Sequence, residues 1–288
     1  MRYIRPYDIL KHHHSFLPEE QAEIESHIAD SMTYLLRSQE WGPMNRTALR
    51  AESLAWAVRA VPDHPDWGKW EMQRKALGND NWGSWEIEDA SLYNAVWLYA
   101  LCGYAHAMDK MEELFQTPEM VYYRHYFLHL MSPAGMIPDF GDAHWMSNWN
   151  RFLVYFETAA NQYQDPRLKW AASLIARRFI DFSDPTNIGL AYMLLDCYLW
   201  GDDSLEIRKP QSLSKEVMED IVGKKIEFRS GWEHESTYLL LNYRDEGSGG
   251  LNFRDYLRDT IPVEEEKMTH GHADENSLVL FMSGGSVL

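Results

Sequence analysis

Helical segments separated by helix breakers constrain the fold of this chain more than any other feature. From residue 19 to residue 203, one stretch of helical periodicity follows another. Clusters of Pro, Gly, Asn and Asp divide the stretches, as at NDNWGS (79–84) and DP (165–166), and such clusters favour turns. After the first helix, the predicted helices cover 46–61, 64–77, 86–109, 118–131, 144–163, 166–181 and 187–200.

The predicted helices fall into pairs. Every second helix begins near residue 45, 86, 144 or 187, so the spacings are 41, 58 and 43 residues. Such spacing is typical of stacked helical hairpins, and in a closed ring of hairpins the equivalent helix ends lie on one face. Residues 1–203 are therefore predicted to form an incomplete (α/α) toroid that carries the catalytic site.

The pattern changes after residue 203. Residues 204–225 are charged and mixed, which indicates a linker. From residue 226, the short runs IEFRSGW, STYLLLNYR and NSLVLFMSGG are typical of β-strands. So few strands form a poor independent unit, and we expect 226–288 to be the N-terminal part of a truncated antiparallel β-sandwich. The predicted fold class is α+β with several domains.

Charge and composition exclude some partners. Lys and Arg number 27 and Asp and Glu number 44, which gives a net charge of −17 and argues against nucleic acid and anionic membranes. No apolar run is long enough to span a membrane. Cys102 and Cys197 lie in apolar stretches and are predicted to be buried thiols. The sequence does not indicate an oligomeric state.

The N-terminus lacks the apolar region of a signal peptide. Two localisations therefore stay open. The protein is cytoplasmic, or a longer form with an export signal is periplasmic or secreted.

Three loops before alternate helices are rich in Trp, Asn, Asp and His: WGPMNR, NDNWGSWEIED and PDFGDAHWMSNWN. Sugar rings dock on flat amphipathic aromatic rings, and the chain has 12 Trp. We therefore predict that Trp85, Asp142, His144 and Trp145 contact a sugar substrate. The alternative is that these aromatic residues pack in the helical core.

The segment MTHGHADENSLVLF at 268–281 carries the strongest local signal. Its residues His270 and His272 are two positions apart, so in an extended chain they point to the same side. Imidazoles spaced in this way can share one site, or one can bind a metal while the other faces a substrate. A polar turn capped by Asp274 is the alternative.

These motifs resemble the heparinase II/III family of polysaccharide lyases. HGHADENSLVLF is similar to the histidine motif that opens the family's sandwich, and IEFRSGWEHESTYLLL resembles the segment just upstream. NRTALRAESLAWAVRAVPDHPDWGKW and NWGSWEIEDASLYNAVWLYAL resemble two inner helices of the family's toroid. The resemblance covers roughly residues 40–288 and implies β-elimination on an acidic polysaccharide or oligosaccharide.

The resemblance also implies roles for single residues. Asn45 matches the Asn that neutralises the uronate carboxylate, Tyr93 the Tyr that donates a proton, and His270 the His that faces the substrate; whether Tyr93 also acts as the base stays open. His272 matches a His that binds zinc in several members. The remaining ligands would fall after Leu288, so a structural zinc site would be incomplete in this chain.

Elimination of this kind needs donors near the uronate carboxylate, because negative charge develops there as the neighbouring proton leaves. Arg46, which stands where the family often has His, is a candidate, and Arg229 is a further candidate contact to substrate. Tyr93 has an ordinary pKa of about 10, so a role as base requires positive charge nearby.

Two other functions stay open. A glycoside hydrolase would use two carboxylates such as Asp89 and Asp142 and would not need the histidines. A non-catalytic glycan-binding protein would depend on Trp stacking and on neither Tyr93 nor His270. The sequence leaves open which glycan is bound and whether cleavage is internal or terminal.

Overall fold

A computed structural model describes most of the chain. The described residues are 3–13, 16–37, 40, 42–84, 89–141, 143, 148–180, 188–211, 216–244 and 276–288. They comprise a series of helices followed by a small antiparallel sheet, which confirms the α+β class. The toroid and the sandwich remain predictions.

The helices carry the labels α1 to α10 in chain order, with a short 3-10 turn at Lys11–His13 after the first. Their bounds are Ile4–Leu10, Pro18–Arg37, Asn45–Ala60, Trp67–Asn81, Ser91–Ala107, Met111–Phe115, Pro118–Leu130, Trp149–Tyr163, Pro166–Phe179 and Ile188–Trp200. No helix of the described part is long and apolar enough to cross a membrane.

Two helix starts follow from local sequence chemistry. Helix α7 begins at Pro118, and the side chain of Thr117 accepts a hydrogen bond from the backbone N–H of Met120. Helix α9 begins at Pro166, and Asp165 accepts from the N–H of Arg167. A capping side chain before a first-turn Pro is a strong start signal, because Pro lacks the N–H that a helix start leaves unused.

The described strands form one antiparallel sheet in sequential order. Strands β1 to β5 cover Glu216–Asp220, Lys225–Arg229, Tyr238–Asn242, Ser277–Ser283 and Ser286–Val287. Strand β1 lies inside the segment 204–225, which the sequence indicated as linker. Its three acidic residues hide the strand pattern in the sequence. Across β2 and β3, Lys225 pairs with Asn242, Glu227 with Leu240 and Arg229 with Tyr238.

The chain divides into two compact units. Unit 1 comprises 1–85 and 100–114, and unit 2 comprises 86–99 and 115–288. Helix α3 packs on α4 and α1 in unit 1, whereas α8 packs on α9 and α10 in unit 2. Helix α5 contributes to both units, and it is apolar around most of its circumference, as expected of a buried helix.

The two cysteines are free thiols. Cys102 is buried, as the sequence predicted, whereas Cys197 is partly exposed. Burial raises the pKa of the Cys197 thiol to about 12, so this thiol stays protonated at neutral pH.

Candidate functional site

Unit 2 contains a pocket where the start of α5, the segment before α8 and strand β4 come together. Most of its lining is apolar, with polar side chains at Ser91, Asp139 and Asn148. The apolar and aromatic lining residues are Gly135, Met136, Ile137, Pro138, Trp149, Phe152, Ile175, Phe179, Val279 and Leu280. A mainly apolar pocket with a few polar groups is the usual composition of a small-molecule site.

A tight turn builds one wall of the pocket. The N–H of Ser132 donates to the carbonyl of Met136 at 2.8 Å, and the N–H of Gly135 donates to the carbonyl of Ser132 at 3.0 Å. Gly135 has a φ of +78°, and a Cβ there would lie 2.9 Å from Cγ of Leu174. Only glycine fits this turn without strain, so Gly135 fixes the path of the wall that follows it.

Ser91 joins that wall to helix α5. Its N–H donates to the carbonyl of Phe140 at 3.0 Å, and its Oγ lies 3.4 Å from Oδ1 of Asp139. Ser91 is buried and begins the helix. The first turn of α5, which also carries Tyr93, is therefore tied to the segment ending at Phe140.

The start of α8 also lines the pocket. The ring of Trp149 stacks on Phe179, with centroids 5.6 Å apart and planes 19° from parallel. Trp149 remains partly exposed. The amide oxygen of Asn148 accepts from Nη1 of Arg151 at 2.9 Å, which fixes the orientation of the Asn148 side chain. A partly exposed indole beside a carboxylate and an amide can bind a sugar by ring contact and hydrogen bonds.

Asp89 lies two residues before α5 in a buried network of charges. Its Oδ2 accepts from Nζ of Lys225 at 2.5 Å and from Nε of Arg244 at 3.2 Å, and its Oδ1 accepts from the hydroxyl of Tyr126 at 3.0 Å. Burial alone would raise the pKa of Asp89, but Lys225 and Arg244 outweigh burial and lower it. Asp89 is therefore held ionised.

The described candidate residues from the sequence fall in different places. Asn45 is partly exposed and is the first residue of α3 in unit 1. Arg46 is exposed, and its Nε lies 3.2 Å from Oε1 of Glu40. Tyr93 is partly exposed in α5 of unit 2.

Arg229 is fully buried in β2. Its Nε pairs with Glu227, and its Nη2 donates to the carbonyls of His129 at 2.6 Å and Met131 at 2.9 Å. Its guanidinium also lies 3.5 Å from the centre of the Trp232 ring. These contacts give Arg229 a structural position at the end of α7, and it is not among the described residues that line the pocket.

The other candidate residues lie outside the described part of the chain. They are Trp85, Asp142, His144, Trp145, His270 and His272. Asp139 and Asn148, which lie on either side of 142–147 in the sequence, both line the pocket. Among the residues that the structure describes, no group of three His, Cys, Asp or Glu side chains could hold a metal ion.

No protein-family model and no curated protein matches this chain.

Three residues that shape the site carry no distinctive signal in the sequence. Ser91 looks like an ordinary helix start, and Trp149 stands among several aromatic residues in one loop. Lys225 was the last residue of the expected linker, and nothing local marks it as the partner of Asp89, which is 136 residues away in the chain. The signal that could have identified Lys225 is a lysine at the start of a strand that pairs with the leucine-rich strand β3.

Proposed function

We propose that this protein is a polysaccharide lyase that cleaves a uronate-containing glycan by β-elimination. The observation that carries the proposal is the pocket of unit 2, where Trp149, Asp139 and Ser91 meet beside the helical turn that bears Tyr93. The pocket uses both ends of the loop that the sequence indicated for sugar contact. The reaction type comes from the resemblance of the motifs to the heparinase II/III family.

In the proposed reaction, a sugar ring of the glycan packs against Trp149, and its hydroxyl groups donate to Asp139. Tyr93 donates a proton to the leaving oxygen, and a base takes the proton from the carbon beside the carboxylate. The resemblance assigns Asn45 and His270 to the uronate carboxylate, whose charge grows as that proton leaves.

The hydrolase alternative has less support, because Asp89 is a poor general acid. A glycosidase acid must be protonated at the working pH, which requires a raised pKa. Lys225 and Arg244 instead lower the pKa of Asp89, and its carboxylate is buried among three donors. The other carboxylate of that hypothesis, Asp142, lies outside the described residues.

The test is to incubate the protein with a panel of uronate polysaccharides and follow the ultraviolet absorbance of the conjugated double bond that elimination leaves. We expect absorbance to rise with at least one glycan and Tyr93→Phe to lower kcat by at least about a hundredfold, since general acid–base catalysis contributes on that order. Tyr198→Phe is the matched control, because Tyr198 is 77% exposed on α10.

The outcomes separate the three functions. Absorbance that rises equally with wild-type protein and Tyr93→Phe would contradict the role of Tyr93. New reducing ends without absorbance would identify a hydrolase. Glycan binding without either product, weakened by Trp149→Ala, would identify a binding protein.

A further inference from the structure

One lysine of the sheet contacts both segments that meet at Ser91. Nζ of Lys225 donates to Oδ2 of Asp89 at 2.5 Å and lies 4.5 Å from the centre of the Phe140 ring. Asp89 precedes Ser91 by two residues, and the carbonyl of Phe140 accepts the N–H of Ser91 at 3.0 Å. Lys225 therefore contacts two residues that hold Ser91. Asp89 is linked to Ser91 through the chain, and Phe140 accepts its hydrogen bond.

Several contacts fix the position of the Lys225 ammonium group. Its side chain is 0% exposed, that of Asp89 is 10% exposed, and Nζ also donates to the carbonyl of Gly223 at 2.8 Å. Gly223 lies in the turn between β1 and β2, and a Cβ there would be 2.5 Å from the Tyr126 ring. Charged hydrogen bonds away from water are strong and directional, so the turn, the lysine and Asp89 are held together.

We propose that Lys225 is a positioning residue for the pocket. Through Asp89 and Phe140, it holds the first turn of α5, with Ser91 and Tyr93, against the wall that ends at Phe140. The inference rests on the proposed function for the catalytic role of Tyr93. The geometry that Lys225 maintains is a property of the pocket and can be measured without any reaction.

The test compares two buried lysines. Lys225→Met removes the ammonium and keeps an unbranched side chain. Lys169→Met is the matched control, because Nζ of Lys169 donates to Glu157 at 2.6 Å with side chains only 9% and 14% exposed, and neither residue lines the pocket. Backbone amide hydrogen exchange of the segment 89–95 is measured by mass spectrometry, well below the melting temperature.

We expect exchange in 89–95 to become about tenfold faster after Lys225→Met and to stay unchanged after Lys169→Met, because only the first change frees the start of α5 to open locally. In the lyase assay, Lys225→Met lowers kcat by about tenfold or more, because a small displacement of a reacting group is costly. KM changes less than kcat, since the walls of the pocket keep their side chains.

A second variant keeps the test decisive if Lys225→Met does not fold. Asp89→Asn retains an oxygen that accepts from Lys225 and removes the charge, and we expect a smaller rise in exchange at the same segment. Unchanged exchange in 89–95 for the folded variant would overturn the inference, as would the same rise throughout unit 2 in both lysine variants. A local rise in a protein that shows no lyase activity would uphold the role of Lys225 and reject the proposed function.

Discussion

Charged side chains occupy the buried face of the sheet, and each has a protein partner. Lys225, Glu227 and Arg229 alternate along β2, and all three are buried. Lys225 binds Asp89, whereas Arg229 pairs with Glu227 and caps the carbonyl end of α7. A buried charge is tolerated only when such partners replace water, so these positions should respond sharply to substitution.

Arg229→Met should lower the free energy of unfolding by about 3–5 kcal/mol, because it leaves Glu227 buried without its cation. Denaturant unfolding measures the change. Arg208→Met is the control, since Arg208 pairs with Glu206 at the surface and should change stability by less than about 0.5 kcal/mol. A similar loss in both variants would contradict the structural role given to Arg229.

His106 in unit 1 should make stability depend on pH. Burial, followed by the nearby charges of Arg5 and Arg59, lowers its pKa from 6.5 to about 4. Between these values the unfolded chain binds a proton at His106 and the folded chain does not, so stability from this group falls as pH decreases through the window. Above pH 6.5, His106 is neutral in both the folded and the unfolded chain, so it adds no pH dependence to stability.

His106→Phe should remove that part of the pH dependence and keep a ring against Trp56, whose centroid is 5.5 Å from that of His106. The denaturant midpoints of wild type and variant are compared at about pH 7 and about pH 4.5, on either side of the ordinary His pKa. The wild type should lose more stability between the two. An equal loss would show that His106 titrates normally in the folded protein.

At the scale of elements, helix α4 packs closely at one glycine and has free space at another. A Cβ at Gly78 would lie 2.3 Å from the hydroxyl of Tyr104, whereas nothing lies within 4 Å of one at Gly68. The Tyr104 hydroxyl is itself held, because it accepts from Nη1 of Arg74 at 2.7 Å. The close approach of helix and phenol therefore depends on Gly78.

Gly78→Ala should destabilise the protein by about 1–3 kcal/mol through overpacking. Gly68→Ala adds the same methyl group in open space and should be neutral or stabilise by up to about 1 kcal/mol through helix propensity. Thermal unfolding monitored by circular dichroism gives both values. Equal effects of the two substitutions would contradict the contact between Gly78 and Tyr104.

At the scale of the whole molecule, the net charge of −17 opposes the approach of an acidic glycan. If the proposed substrate is correct, kcat/KM at low substrate should rise as ionic strength increases from about 0.01 to about 0.1 M, because the Debye length falls from about 30 to about 10 Å. Initial rates at constant pH measure this. A steady fall would show that cations near the pocket, and not the net charge, control association.

Sequence pattern predicted most of the long helices and several of their boundaries closely, but it missed α1, α6 and β1. The prediction of 46–61 corresponds to Asn45–Ala60, and that of 118–131 to Pro118–Leu130. Such boundaries depend on Pro, caps and apolar periodicity, which are local in the chain. The pattern predicted a helix start at 144, whereas α8 begins at Trp149.

The sequence by itself determined that β2 alternates between two kinds of side chain, and the tertiary structure decided which kind is buried. Alternation alone favours Ile226 and Phe228 as the buried residues, yet Phe228 is 39% exposed and Lys225, Glu227 and Arg229 face inward. The physical reason is that the charges meet partners distant in the chain, including Asp89 136 residues away and the carbonyl of His129 100 residues away. Only folding brings such partners together, so the pocket beside them could not be derived from local pattern.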